Sequence, residues 1–175
     1  IPTKDIKNFN ENLLKTIPEL NEHRCGIDED NGFRKRLYEG TYLAHVCEHI
    51  IIAIQNMLGI DVAYGKSREI SGDKYYIIYQ YALKNTAVQV GKTAVDFVNA
   101  LVNNERYDFN KAFNLLRDTL RNEKIGPSTA SIIDEAKNRG IPVTRIGDTS
   151  VFQLGYGKYS KTIEATISSD TKAIA

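Results

Sequence analysis

The chain has 175 residues, 42% of them hydrophobic and 26% charged, with a formal net charge of +1. This length suits one ordinary domain, or one domain and a fragment, and the apolar share is enough for a real core. Near-neutrality gives no electrostatic case for nucleic acid or an anionic membrane surface, and no apolar run approaches the roughly 18 residues of a membrane span. Cys25 and Cys47 are too few for a disulfide framework and make a reducing cytoplasm the default. The chain opens at Ile1-Pro2, with no methionine and no visible signal peptide, and stops in "DTKAIA". It reads as a piece of something longer.

In chain order, residues 4–17 predict a short helix ended by Pro18, and residues 21–32, rich in Asn, Asp and Gly, predict a loop. A helical stretch follows from Phe33 to Leu58, interrupted near Gly40, where Thr41 can cap its second part. "DVAYGKSREI" and "KYYIIYQYA" read as two strands joined around Ser71-Gly72-Asp73. Helices are expected near 85–103, with Val88, Val95, Val98 and Val102 at helical spacing, and near 109–122. Past residue 124 the style changes. Gly126-Pro127-Ser128 opens a helix to about Asn138, with Gly140 as its stop. "PVTRI" and "VFQL" are short strands, and "YSKTIEATIS" alternates as a third, with Ile163, Ala165 and Ile167 on one face. Gly155-Tyr156-Gly157 is a hairpin turn and not a phosphate loop, since no helix follows it. The fold class is α+β: a mainly helical domain over 1–124 with a small antiparallel sheet, then the opening α/β elements of another domain over 125–175.

The motif that carries chemistry is "LAHVCEH", an H-x-x-E-H pattern at His45, Glu48 and His49. At about 100° per residue, Leu43, Val46, Cys47, Ile50, Ile54 and Met57 form one apolar stripe, and the polar triplet groups on the opposite side. "HIIIAI" is apolar nearly all round, so the helix is covered on both faces and the triplet lines a cleft or pocket. Imidazoles at i and i+4 can meet one tetrahedral ion, and the adjacent carboxylate can take a proton from metal-bound water. The plainer reading has His45 and His49 as satisfied, half-buried histidines and Glu48 paired with an arginine. A catalytic zinc also needs a third protein ligand. Glu69 is the first choice, with Asp118, Glu123 and His23 open. "EHRC" over 22–25 places His23 and Cys25 at metal-binding spacing, yet without a second such pair it reads as a loop with a structural cysteine. Arg34, Lys35 and Arg36 read as a solvated face that can also receive an acidic chain.

Taken together, "EHRCG", "EGTYLAHVCEH", "DVAYGKSREI", "GPSTASIIDEA" and above all "FQLGYGKYSKTIEAT" resemble the cyanophycin synthetases, from about residue 20 to the end. Those enzymes polymerise aspartate and arginine, with ATP and Mg, into a storage polymer with a polyaspartate backbone. The resemblance implies that 1–124 is most of an N-terminal domain and 125–175 the start of an ATP-grasp ligase domain, with a Mur-ligase-like domain beyond it. On that reading ATP binds outside this chain, the parent is a cytoplasmic homo-oligomer, a tetramer, and this chain alone ligates nothing. The resemblance also implies that, in some members, this domain cuts the polymer internally at a zinc site to make primers. His45 and His49, with Glu69 as the third candidate, would then hold zinc, and Glu48 would activate the water. Arg34, Arg36 and Arg68 would bind the carboxylates of cyanophycin polymer. Gln80 stands where the family's glutamate is expected, which would weaken the site if that carboxylate serves it. A purely structural, polymer-holding domain without metal is the alternative.

Overall fold

The computed structural model describes residues 2–25, 30–72, 74–147, 149–168 and 171, and the chain divides into two units, Ile1–Arg121 and Asn122–Ala175. In the first unit the helix expected over 4–17 is broken. A 3-10 turn spans Thr3–Asp5, and α1 (Phe9–Thr16) begins only after Asn8 takes a left-handed φ of 59°. Asparagine tolerates that region because its short polar side chain bonds locally. Pro18 ends α1 as expected, by opening a second 3-10 turn over Pro18–Asn21. Helices α2 (Gly32–Glu39) and α3 (Leu43–Met57) are separated at Gly40, whose φ of 104° suits only glycine. Thr41 does not cap α3: the cap residue is Tyr42, with no side-chain hydrogen bond.

Two strands follow, β1 (Gly65–Ser71) and β2 (Lys74–Tyr79), paired antiparallel with Gly65 opposite Tyr79 and Arg68 opposite Tyr76. Asp73 of the expected turn lies outside the described residues. Helices α4 (Lys84–Val102) and α5 (Phe109–Glu123) come next. The core forms around α3, whose residues Val46 to Ile54 are all buried, so the helix is enclosed on every side as its sequence predicts. Phe9, Leu13, Phe33 and Leu37 join it from α1 and α2, and Val90, Phe97 and Phe113 from α4 and α5. Each such side chain contributes about 1.5–3 kcal/mol by leaving water. The valine stripe expected on α4 is corrected: Val88 and Val95 are 44% and 45% exposed. The buried face is Val90, Ala94, Phe97, Val98 and Leu101, so helix rotation follows total apolar bulk rather than the valines alone.

In the second unit α6 (Pro127–Asn138) starts with proline at its first position. A four-stranded antiparallel sheet follows in the order β3 (Val143–Arg145), β4 (Val151–Leu154), β5 (Lys161–Glu164) and β6 (Ile167–Ser168). Gly155 and Gly157 have φ of 79° and 58° in the turn between β4 and β5, and only a three-residue 3-10 turn follows. The single strand expected over 159–168 is two strands, because Ala165 turns left-handed at φ 53° and its carbonyl accepts from the Thr129 hydroxyl at 2.8 Å. Ile163 is buried in a small core with Ile133 and Phe152, whereas Ile167 is 61% exposed. The described residues therefore form an α+β fold with six α-helices and two small antiparallel sheets. No helix among them is long and apolar enough to cross a membrane.

Candidate metal centre

Helix α3 presents His45, Glu48 and His49 on one side because the spacings of three and four residues return to one helical face. Opposite them runs the segment 22–25. Its Cys25 Sγ lies 3.1 Å from His45 Nε2, and its His23 Nδ1 lies 3.0 Å from His49 Nδ1. Phe33 of α2 secures both partners: its N–H donates to the His23 carbonyl at 3.0 Å, and its ring lies 4.4 Å from the His49 ring. Thr41, although no cap, places its hydroxyl oxygen 2.9 Å from His45 Nδ1. With Nδ1–H donating to that hydroxyl, the Nε2 lone pair of His45 faces Cys25, a tautomer assigned from the hydrogen-bond geometry. The His23 contact holds the other ring: one of the two Nδ1 atoms carries the proton shared between His23 and His49.

Cys25, His45 and His49 each offer one ligand atom, and these three atoms lie within 4.8 Å of one another. Around a tetrahedral zinc ion, bond lengths of about 2.0–2.3 Å set ligand atoms roughly 3.3–3.8 Å apart. The set is thus about an ångström from closing on an ion, and one thiol with two imidazoles is a donor chemistry zinc accepts. Among the described residues these are three ligands, which would leave the fourth position of a tetrahedral ion open.

Electrostatics suit ligation. Burial, with help from the Arg36 guanidinium, pushes His45 down to about 4. Burial first, then His45, His23 and Arg36, pushes His49 down to about 3. Burial also lowers His23. All three imidazoles are neutral at pH 7, with lone pairs available. Burial raises Glu48 above the usual carboxylate range, against hydrogen bonds from the Ser67 hydroxyl and backbone N–H and the charge of Arg36. Glu48 reaches Ser67 by crossing Gly65, where a Cβ would stand 2.7 Å from Glu48 Cγ. The whole arrangement opens into a cavity of about 720 Å³ whose lining includes four cations, Arg24, Arg36, Lys66 and Arg68.

The structure therefore brings together His45, Glu48, His49, Arg36 and Arg68. Glu69 is not part of the cavity: it is exposed on β1 opposite Tyr75, and Cys25 stands in the place expected for it. Arg34 also lies outside, exposed on α2 with its guanidinium 5.8 Å from the Tyr38 ring, because two residues along a helix is more than half a turn from Arg36. Asp118 is exposed beside Arg121 at 3.3 Å, and Glu123 belongs to the other unit. Gln80 does not face the histidines. Its Oε1 accepts from the N–H groups of Ala63 and Tyr64 at 3.1 and 3.2 Å, bracing the approach to β1. The residue that sequence reasoning undervalued is Cys25. Its signal was the pairing of His23 and Cys25 within one short segment. Arg36 Nη1 donates to its Sγ at 3.4 Å.

The family profile described as the Cyanophycin synthase-like N-terminal domain matches residues 1–103. Proteins named cyanophycin synthetase are similar along nearly all of the chain. That of Geminocystis herdmanii is 35% identical over 174 residues, 97% of this chain and 20% of that protein. That of Synechocystis sp. is 35% identical over 172 residues, 96% of this chain and 20% of that protein. That of Trichormus variabilis is 32% identical over 174 residues, 97% of this chain and 19% of that protein. The chain spans about a fifth of the length of these curated relatives.

Proposed function

This chain belongs to the cyanophycin synthetase family through its N-terminal domain, and we propose that it binds the aspartate–arginine polymer and hydrolyses its backbone at a zinc site, making primers. The observation that carries this reading is the convergence of Cys25, His45 and His49 within 4.8 Å beside a buried Glu48, at one cavity. Zinc would be held there by Cys25, His45 and His49 and would supply Lewis-acid polarisation of the carbonyl and of the attacking water. Glu48 takes the proton of the attacking water on a carboxylate oxygen and returns it to the departing amine nitrogen. Its raised pKa suits both halves of that transfer. Thr41 and His23 hold the two imidazole rings in place. Arg36, Lys66 and Arg68 receive polymer carboxylates. Arg34 remains a candidate for polymer carboxylates only outside the cavity.

The parent protein is a ligase that builds the polymer with ATP and Mg. Residues 125–175 form the opening of its ATP-grasp domain, the ATP-grasp and Mur-ligase-like sites lie outside this chain, and the assembly is a cytoplasmic tetramer. A second reading rests on its own observation: His45 is bonded to Cys25 and Thr41, and His49 to His23, so the cluster is satisfied within the protein and the cationic cavity needs no metal to hold polymer. The experiment is zinc content of the full-length parent together with chain length of cyanophycin incubated without ATP. About one zinc per chain, lost in Cys25→Ser but kept in Glu48→Gln, with cleavage lost in both, establishes the hydrolase. No zinc and no cleavage leave a polymer-holding domain.

A further inference from the structure

The cavity has one wall built from backbone. The sheet of the first unit contains only β1 and β2, so β1 is an edge strand among the described residues. Its residues Gly65, Lys66, Ser67 and Arg68, with Ala63 before them, line the cavity. Which backbone groups face that way follows from the ladder. The Gln80 N–H donates to the Tyr64 carbonyl at 2.8 Å, so Tyr64 points toward β2. Antiparallel pairing alternates, which turns the polar groups of Lys66 and Arg68 toward β2 and those of Gly65 and Ser67 away from it. An independent contact agrees: the Ser67 N–H donates to Glu48 of α3, not to β2. Gly65 N–H, Gly65 C=O and Ser67 C=O are thereby turned to the outer edge, where no backbone group of the described residues pairs with them.

An unpaired edge of this kind is a template for another strand. Charge states what kind. Arg36, Lys66 and Arg68 border the edge, while Glu48 is the single acid of the lining among the described residues. On this basis, and resting on the reading that the cavity handles a peptide backbone, we propose that an extended, carboxylate-bearing peptide adds to β1 as a third strand. Its main chain pairs with Gly65 and with the Ser67 carbonyl, and its carboxylates meet Lys66, Arg68 and Arg36. The peptide bond seated opposite Ser67 is then the one beside Glu48, so the edge of β1 sets which bond is presented. Gly65 belongs to the same device, since the absent Cβ is what lets Glu48 lie across the strand to Ser67.

The test uses the chain in EDTA, with three fluorescent aspartate octapeptides read by anisotropy: unmodified, N-methylated at every second amide, and N-methylated at all. A strand pairs through one edge, with period two, so alternate methylation leaves one edge intact. The alternate peptide is expected to bind within about threefold of the unmodified one, and the fully methylated peptide to lose more than about tenfold. Lys66→Glu with Arg68→Glu is expected to weaken the unmodified peptide by a similar factor. Equal binding of all three peptides, equal loss for both methylated ones, or no binding of any overturns the proposal. Because the measurement excludes metal, absence of zinc hydrolysis does not touch it. Conversely, cleavage indifferent to methylation refutes strand addition while the hydrolase reading stands.

Discussion

Gly65→Ala tests the contact between β1 and α3 most directly. The backbone of Gly65 is not in the left-handed region, so alanine suits it and the nearest obstacle is Glu48. A Cβ there stands 2.7 Å from Glu48 Cγ and 3.1 Å from Oε1, where carbon contacts of about 3.5–4.0 Å are comfortable. The γ carbon is held near the backbone of a buried helix and cannot yield an ångström without a change of rotamer. That change removes the Ser67 hydrogen bonds from the carboxylate. Bonds to charged groups are each worth about 1.5–3 kcal/mol, partly returned here by water in the cavity, so the net loss is about 2 kcal/mol. For a unit of this size the melting temperature falls by roughly 8 °C. Thermal and urea unfolding should be run on Gly65→Ala alone and in two backgrounds. In Glu48→Gln, which keeps the shape, the cost persists. In Glu48→Ala it vanishes, and alanine becomes neutral or stabilising by about 0.5 kcal/mol through the unfolded chain. An equal cost in the Glu48→Ala background would refute the steric argument.

Two further outcomes follow from the same cluster. His45 and His49 have folded-state pKa values near 4 and 3, below the ordinary 6.5, so their contribution to stability is present above pH 6.5 and is lost as pH falls toward those values. In a metal chelator, urea midpoints should drop from pH 7 to pH 4 and His49→Gln should flatten the drop; a profile that the substitution leaves unchanged contradicts the assignment. Gln80→Glu keeps an acceptor for Ala63 and Tyr64, so unfolding free energy at neutral pH should stay within about 0.5 kcal/mol. Zinc content should stay the same, and a gain or loss of metal would place residue 80 in the site after all.

The local features were legible from the chain itself. The apolar run from Ile50 to Ile54 demanded an enclosed helix, and helical spacing alone grouped His45, Glu48 and His49 on one side of it. Pro18 and Gly40 marked real breaks because proline and glycine act on the backbone at their own positions. Where several residues compete for one conformation, the pattern misled: the valines of α4 lost the buried face to bulkier neighbours, and Ala165 gave up strand geometry to a turn held by Thr129. The ligand set belonged to the tertiary structure altogether. Glu69 and Cys25 are equally plausible third ligands by type, and nothing in spacing says which segment crosses α3. Packing of Phe33 against His49 and its bond to His23 bring Cys25 to His45, while the alternation and exposure of β1 carry Glu69 away. A helix writes its own neighbours into sequence at three and four residues. A contact between segments 20 residues apart is decided only when the core between them closes.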